Sequence, residues 1–218
     1  MRWLSYGPNA LLFHFAERPS EAAFLKGRAI VRDLETNPAP GVVDFVPGFT
    51  SILILFSPAL VPDPRRHALE WIARLKSATS ASLPPPETRL VPVRYDGPDL
   101  ERVAERAKLS VQQTIEAHSG AIYRVYTLGF APGFAYLGDL DPRLHTPRLA
   151  TPRPRVPAGS VGIGGEHTGV YPLETAGGWN LIGRTSLRLF DPDRAEASRD
   201  PRNAFLLKSG DRVRFVPQ

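Results

Sequence analysis

Apolar residues recur with two different periods in the first 76 residues of the chain. Alternation of apolar and polar positions predicts four strands, at 2–6, 10–15, 42–46 and 51–56. Between the second and third strands, helical spacing places one apolar face on Ala23, Phe24, Gly27, Ile30, Val31 and Leu34. Asp63 followed by Pro64 is typical of a helix start, and a second apolar face follows it. The order of strands, helix, strands and helix predicts a small α/β sandwich with both helices on one face of the sheet.

The segment "KSATSASLPPPET", residues 76–88, predicts a linker because serine, alanine and three prolines replace the periodic pattern. We therefore expect two domains, at 1–80 and 88–218. The second opens with a predicted strand, "RLVPVRYD", and a helix from Pro98. Ser110 and Gln113 then predict a capping box at the start of another short helix. Two short helices also suggest a helix-turn-helix, but "VQQTIEAHS" offers no basic recognition face.

Helical periodicity ends near residue 120, and short apolar stretches alternate with turn residues from there on. This pattern predicts a β-barrel or a β-sandwich, so the fold class of the whole chain is α+β. Eleven of the 18 glycines fall between residues 129 and 183. Glycine permits positive φ angles and close approach of the backbone to another group, so this region is where we expect a site built from loops.

Composition narrows the class of protein. Hydrophobic residues make up 42% and charged residues 22%, which is ordinary for a chain with a buried core. No apolar run approaches the roughly 20 residues that span a bilayer, and the N-terminus does not resemble a signal peptide. The absence of cysteine excludes disulfides and thiolate metal sites. These features favour a cytoplasmic protein.

The formal net charge is +5, and arginine supplies 23 of the 27 basic residues. Most arginines alternate with acids, which favours a solvated surface over a nucleic-acid interface. The exception is "TPRLATPRPRV", where Arg148, Arg153 and Arg155 fall close together with no acid between them.

Three known sequence motifs are excluded, because the residues that they require do not occur at the required spacing. A phosphate loop would need lysine where Gly165 stands, a dinucleotide fingerprint would need glycine or alanine at His167, and a nucleophile elbow would need one residue between Gly159 and Ser160. The five histidines show no metal-ligand spacing, so we expect no metal site. His167 is a candidate functional residue because it lies within the glycine-rich region.

Arginines and aromatic residues are the remaining candidates. A guanidinium group suits a carboxylate or a phosphate, although Arg184 equally suits a buried salt bridge within the barrel. Aromatic residues in short strands equally suit a core. We predict catalytic roles for Arg184, His167 and Arg153. The predicted substrate-binding residues are Phe130, Pro132, Gly133, Phe134, Tyr136, Arg155, Gly177, Gly178 and Trp179.

Four ordered motifs carry a family resemblance. They are "LGFAPGFAYLG", "TPRLATPRPRVPAGSVGI", "TGVYPLETAGGWNLIGRT" and "LLKSGDRVRFVP". In this order they resemble the B subunit of prokaryotic 5-oxoprolinase, a family also described as allophanate hydrolase subunit 1 and as a sporulation kinase inhibitor. The resemblance extends over almost the full length. It implies a small α/β domain followed by a cyclophilin-like β-barrel.

The resemblance also implies a function. Family members work with subunits A and C in the ATP-dependent opening of 5-oxoproline to glutamate, so ATP is the expected cofactor, bound by a partner subunit or at an interface with one. Two alternatives stay open: inhibition of a histidine kinase by protein contact, and half of a urea carboxylase-type carboxyltransferase with biotin on another chain. One departure is visible. Where the family usually reads Gly-Gln-Thr-Gly, this chain reads Glu166-His167-Thr168-Gly169.

Overall fold

A computed structural model describes residues 1–79 and 86–218. The chain divides into two compact units, Met1–Pro85 and Pro86–Gln218. Residues 80–85 of the predicted linker lie outside the described residues, so the linker and the predicted domain limits remain predictions. Across the part of the chain that the structure describes, no helix is both long and apolar enough to cross a membrane.

The first unit is an antiparallel sheet with two α-helices. Its elements are β1 (Arg2–Ser5), β2 (Ala10–His14), α1 (Glu21–Thr36), β3 (Val42–Pro47), β4 (Ser51–Phe56), a 3-10 helix (Pro64–His67) and α2 (Ala68–Ser77). The strand order is β1-β2-β4-β3. Alternate residues of the central strands, such as Phe13 and Ile54, are buried against Ile30 of α1 and Leu75 of α2. The prediction that both helices lie on one face of the sheet is confirmed.

The second unit carries three more α-helices and nine strands among its described residues. They are β5 (Thr88–Val93), α3 (Leu100–Ala107), α4 (Val111–Gly120), β6 (Tyr123–Leu128), β7 (Ala135–Gly138), β8 (Arg153–Val156), β9 (Ser160–Gly164), β10 (His167–Val170), β11 (Thr175–Gly177), β12 (Asn180–Arg184), α5 (Pro192–Ser198) and β13 (Arg212–Pro217). Two 3-10 helices, Pro142–Leu144 and Pro201–Ala204, lie between them.

Seven of these strands form a nearly closed, barrel-like sheet in the order β12-β9-β10-β7-β6-β13-β5. All neighbours are antiparallel except β13 and β5, which are parallel. A backbone bridge between Arg94 and Arg184 joins the first strand of this order to the last. The strands β8 and β11 pair separately. The α+β class and the barrel-like sheet confirm the predicted fold class.

The interior of the barrel-like sheet is an apolar core. Val161 and Ile163 of β9 are fully buried in it, together with Val103 from α3. At the start of α4, the Ser110 hydroxyl accepts from the Gln113 amide at 3.1 Å, and the Gln113 side chain accepts from the Ser110 amide at 2.9 Å. The predicted capping box is confirmed.

A three-residue motif, Asp-Pro-Arg, begins each of the three 3-10 helices. The aspartates are Asp63, Asp141 and Asp200, and each side chain accepts from the amide of the arginine two residues later. Each also pairs with that arginine's guanidinium, at 2.6 to 2.8 Å. The motif supplies its own cap, its own helix-starting proline and its own charge partner.

The helix α5 contradicts the prediction that helical structure ends near residue 120. It begins at Pro192, directly after Asp191, and the same Asp-Pro pair begins the 3-10 helix of the first unit. None of its seven residues is buried. It therefore has no apolar face, and a search for apolar periodicity could not find it.

Candidate ligand-binding site on the outer face of the barrel

An aromatic cluster covers the outer face of β7, β9 and β10. Because side chains alternate along a strand, the residues between those of the inner core point to this outer face. Phe134, Tyr136, Tyr171 and Trp179 meet there edge to face, and the rings of Phe134 and Trp179 are 5.2 Å apart. Trp179 is only 4% exposed. The cluster is a second apolar layer outside the barrel-like sheet.

The glycines of β9 and β10 make room for this tryptophan. A Cβ atom at Gly164 would lie 2.5 Å from the Trp179 indole nitrogen, and one at Gly169 would lie 3.3 Å from the ring. Gly177 is packed against the Tyr171 hydroxyl. At these positions the backbone closely approaches an aromatic side chain of the same unit.

The loop before β7 carries four of the predicted substrate-binding residues, Phe130, Pro132, Gly133 and Phe134. Phe130 is 62% exposed and has a φ angle of +76°, which is uncommon for a residue with a side chain. Its ring lies 5.3 Å from the ring of Phe134. Pro132 and Gly133 line a shallow groove of about 390 Å³ together with Phe130 and Phe205. The structure thus brings this loop to the edge of the aromatic cluster.

The predicted arginines have acidic partners. Arg153 is half-buried, and its guanidinium lies 2.8 Å from Asp99 and donates to the Trp179 carbonyl at 3.3 Å. Arg155 is exposed and lies 4.0 Å from Glu174. Arg153 therefore adjoins the cluster through the backbone of Trp179.

Arg184 is the last residue of β12. Its side chain is 62% exposed and pairs with Asp96 at 2.8 Å, so the alternative of a buried salt bridge is wrong. Arg184 pairs with Ser160 and Asn180 pairs with Ile163, at opposite ends of β9. Arg184 is four positions from Asn180 along β12, or roughly 13 Å. Among the contacts of the described residues, the Arg184 side chain pairs with Asp96 and none joins it to the aromatic rings, so its catalytic role stays a prediction.

His167 is half-buried at the border of the cluster, with its ring 6.2 Å from that of Tyr136. Burial lowers the pKa of His167, and the nearby charge of Arg148 acts in the same direction, while Glu166 opposes it. The imidazole is therefore neutral at pH 7. A neutral imidazole can accept or donate a hydrogen bond at this position.

Sequence reasoning left Arg148 out of the predicted site. Its guanidinium lies over the Trp179 ring, 6.0 Å from the centroid. The side chain of Asn180 donates to the Pro147 carbonyl at 2.9 Å, and the Leu149 amide donates to Gly178 at 2.7 Å. The sequence signal was the run of three arginines, Arg148, Arg153 and Arg155, with no acid between them. The sequence did not show which of the three would have no acidic side chain beside it among the residues that the structure describes.

His118 is completely buried inside the barrel, and both of its ring nitrogens contact hydroxyl groups of the protein. Its ring nitrogens contact the Tyr95 hydroxyl at 2.7 Å and the Thr168 hydroxyl at 2.8 Å. Thr168 in turn donates to the Gly162 carbonyl. Burial lowers the pKa of His118 to about 3, so this histidine is neutral at pH 7.

Metal ligands do not converge at the site. Within residues 1–79 and 86–218, no group of three or more histidine or acidic side chains comes together in a way that could hold a metal ion. The chemistry available at the outer face is therefore that of aromatic rings, arginines and one neutral imidazole.

Comparisons with known proteins identify the fold and the family. The chain matches the carboxyltransferase domain, subdomain C and D, over residues 1–199. The urea carboxylase of Kluyveromyces lactis, at 19% identity and a TM-score of 0.78, shares this fold over 99% of the present chain and 21% of its own. The protein is thus a carboxyltransferase-type domain.

Closer relatives define the family. The 5-oxoprolinase B subunit of Escherichia coli O157:H7 is 50% identical over 186 residues, 82% of this chain and 79% of that protein. The 5-oxoprolinase B subunit of Bacillus subtilis strain 168 is 37% identical and covers 96% of this chain and 90% of its own length. The crystal structure of TTHA0988 is similar to this chain with a TM-score of 0.82 and 38% sequence identity. The match covers 96% of this chain and 40% of the longer TTHA0988 chain. The chain belongs to the family of 5-oxoprolinase B subunits.

Proposed function

We propose that this protein is the B subunit of an ATP-dependent 5-oxoprolinase, which opens 5-oxo-L-proline to L-glutamate. The observation that carries the proposal is the 50% identity to a 5-oxoprolinase B subunit over most of both chains. Because these relatives are themselves parts of a multi-subunit enzyme, this chain should depend on other subunits, and we assign those as subunits A and C.

The outer-face cluster is the proposed substrate site. The ring of the half-buried Tyr136 offers an apolar edge to a small lactam ring, and His167 offers a neutral imidazole as a proton acceptor or hydrogen-bond donor. Phe130, Pro132 and Gly133 shape the entrance groove.

Arginines would stabilise negative charge that develops on the reacting oxygens. Arg153 and Arg184 each hold an aspartate in this structure. For either arginine to contact the substrate, its guanidinium must bind substrate and aspartate together, or it must release the aspartate. Arg153 is the nearer candidate because it already contacts the backbone of Trp179.

ATP held by the complex would supply a phosphoryl group to the amide oxygen, which would remove the resonance stabilisation of the lactam and release ADP. The glycine-rich segment 159–165 does not fit a phosphate cradle. It forms the strand β9, which is paired on both sides, with β10 and β12. We therefore assign ATP to a partner subunit or to an interface with one.

Co-expression with candidate subunits A and C tests the proposal. The purified mixture should form ADP and glutamate in equal amounts, only when 5-oxo-L-proline is present, and omission of this chain should abolish both products. Absence of glutamate from the complete mixture contradicts the proposal.

A second candidate function rests on the carboxyltransferase family match. In this reading the chain is half of a carboxyltransferase and biotin arrives on another protein. Transfer of carboxylate from a carboxylated biotin carrier, with no glutamate formed from 5-oxoproline, would favour it over the first.

A further inference from the structure

We propose that Arg148 is the carboxylate-recognition residue of the outer-face site, so that the site selects small carboxylates over neutral amides. This inference rests on the proposed function for the identity of the substrate, 5-oxo-L-proline, which carries one carboxylate beside its lactam. The three observations that carry it are the fixed backbone around Arg148, its lack of an acidic partner, and its position over Trp179.

The backbone around Arg148 is held on both sides. The Gly165 amide donates to the Thr146 carbonyl at 2.8 Å, and the Asn180 side chain donates to the Pro147 carbonyl at 2.9 Å. On the other side, the Leu149 amide donates to the Gly178 carbonyl at 2.7 Å. Because Asn180 is completely buried, the anchor is rigid. A fixed backbone lowers the entropy that an arginine loses when it binds an anion.

Arg148 stands apart from the other arginines of this region. Arg143, Arg153 and Arg155 each lie within 4.0 Å of an acidic side chain. Among the residues that the structure describes, no hydrogen bond or ion pair is formed by the Arg148 guanidinium. Its charge is therefore available to an external anion.

The positive charge of Arg148 lies beside the ring of Trp179. With the guanidinium 6.0 Å from the ring centroid, Arg148 extends over the cluster that contains Tyr136 and borders His167. Burial lowers the pKa of His167 and raises the pKa of Tyr171, and the charge of Arg148 favours a lower pKa at both groups. The charge of Arg148 therefore acts on both side chains.

The ligand chemistry follows from these groups. A guanidinium presents parallel N–H donors that match a carboxylate, and aromatic edges suit a flat five-membered ring. A phosphate would also suit the guanidinium, so the test must separate the carboxylate of 5-oxo-L-proline from the phosphates of ATP.

The first measurement uses the complete complex. In Arg148→Gln, we expect the KM for 5-oxo-L-proline to rise roughly ten- to a hundredfold, the effect of losing a charge-assisted hydrogen bond, with the KM for ATP unchanged. Arg148→Lys should recover part of the loss because it keeps the charge without the fork. The matched control is Arg188→Gln, which removes another exposed arginine, one that lies 3.8 Å from Asp191. An Arg148→Gln complex with the KM of the control, or with a raised KM for ATP instead, overturns the proposal.

The second measurement separates failure of this proposal from failure of the proposed function. The full chain alone, with ¹⁵N-labelled tryptophan, is titrated with 5-oxo-L-proline, neutral 2-pyrrolidinone and inorganic phosphate, and the indole signals of its three tryptophans are followed. We expect the Trp179 signal to respond to 5-oxo-L-proline at concentrations at least tenfold lower than to 2-pyrrolidinone, and this preference to disappear in Arg148→Gln. If the complex makes no glutamate but the preference is present, the function fails and the carboxylate site stands. If wild type and Arg148→Gln respond alike, the carboxylate site is wrong whatever the complex does.

Discussion

Arg94 and Arg184 exchange both of their backbone hydrogen bonds, each at 2.9 Å, at the point where the barrel-like sheet meets itself. Both guanidinium groups also lie within 3.0 Å of the same carboxylate oxygen of Asp96. The contact continues along β12, where the Asp99 amide donates to the Leu181 carbonyl and the Asp99 side chain accepts from the Leu181 amide. Closure of the sheet is therefore a backbone contact, with an exposed charge cluster on its surface.

Gly183→Ala should weaken this closure. A Cβ atom there would lie 2.6 Å from the Arg94 carbonyl oxygen, so the two strands must separate. We expect a loss of about 1–3 kcal/mol in the free energy of unfolding, measured in urea. Gly120→Ala is the control, because nothing lies within 4 Å of the added atom. Equal stability of the two variants would show that the bridge tolerates a side chain.

Arg184→Lys separates a catalytic role from a surface role. Lysine can still pair with Asp96, and an exposed pair contributes only about 0–1 kcal/mol, so the position of Arg184 leads us to expect little change in Tm. We also expect turnover of the complex near the wild-type rate. Loss of most of the turnover at unchanged Tm would instead support the catalytic role that the sequence suggested.

Gly164→Ala should displace Trp179. The added Cβ atom would lie within 2.5–2.7 Å of three indole atoms, so the indole must move out of the aromatic cluster. We expect a loss of about 1–3 kcal/mol and a weaker near-ultraviolet circular dichroism signal. Gly178→Ala, where the nearest atoms are 3.6 Å away, should leave that signal unchanged. If both variants keep the wild-type spectrum, Trp179 does not need the space that Gly164 leaves.

His118 should make the stability of the protein depend on pH. Its pKa is lowered to about 3 in the folded state, whereas a histidine in the unfolded chain has a pKa near 6.5. Between these values the unfolded chain binds more protons, so the stabilisation is complete above about pH 6.5 and is lost as the pH falls towards 3. The loss should reach several kcal/mol, and His118→Gln should show a flatter profile over the same range. Parallel profiles for the two proteins would mean that other groups cause the acid sensitivity.

His167→Gln tests the departure from the family's usual glutamine. Burial lowers the pKa of His167, so the wild-type imidazole is neutral at pH 8 and gains its charge at a lower pH than an ordinary histidine. If the position serves as a hydrogen-bonding group, the variant should keep kcat/KM within about threefold at pH 8 and should lack any inflection due to His167 at lower pH. A loss of more than a hundredfold at pH 8 would identify the imidazole as a catalytic base.

Local signals were the part of the fold that the sequence predicted well. Alternation located β2 and β4, and the pair Ser110 and Gln113 located the start of α4, because each of these signals lies within a few residues of the structure it produces. The helix α5 was missed because its seven residues bury nothing.

The site was predicted less well because its contacts are distant in sequence. Trp179 was among the predicted residues. Why glycine is needed at position 164 was not predictable, because it depends on the strand register that places Gly164 against the Trp179 indole. The sequence did not show the acidic partners of Arg184 and Arg153, because their aspartates lie 88 and 54 residues away. Arg148 can be recognised as the arginine with no acidic partner among the described residues only when the ion pairs of the neighbouring arginines are known.

The parallel pairing of β5 with β13 has a consequence for synthesis of the chain on the ribosome. The first strand of the second unit, Thr88–Val93, is paired with Arg212–Pro217, so its partner is made about 120 residues later. At roughly 5–20 residues per second, β5 waits about 6–25 s with an unpaired apolar edge. The barrel-like sheet can therefore be completed only after the last strand has emerged, and until then β5 is exposed to pairing with other nascent chains.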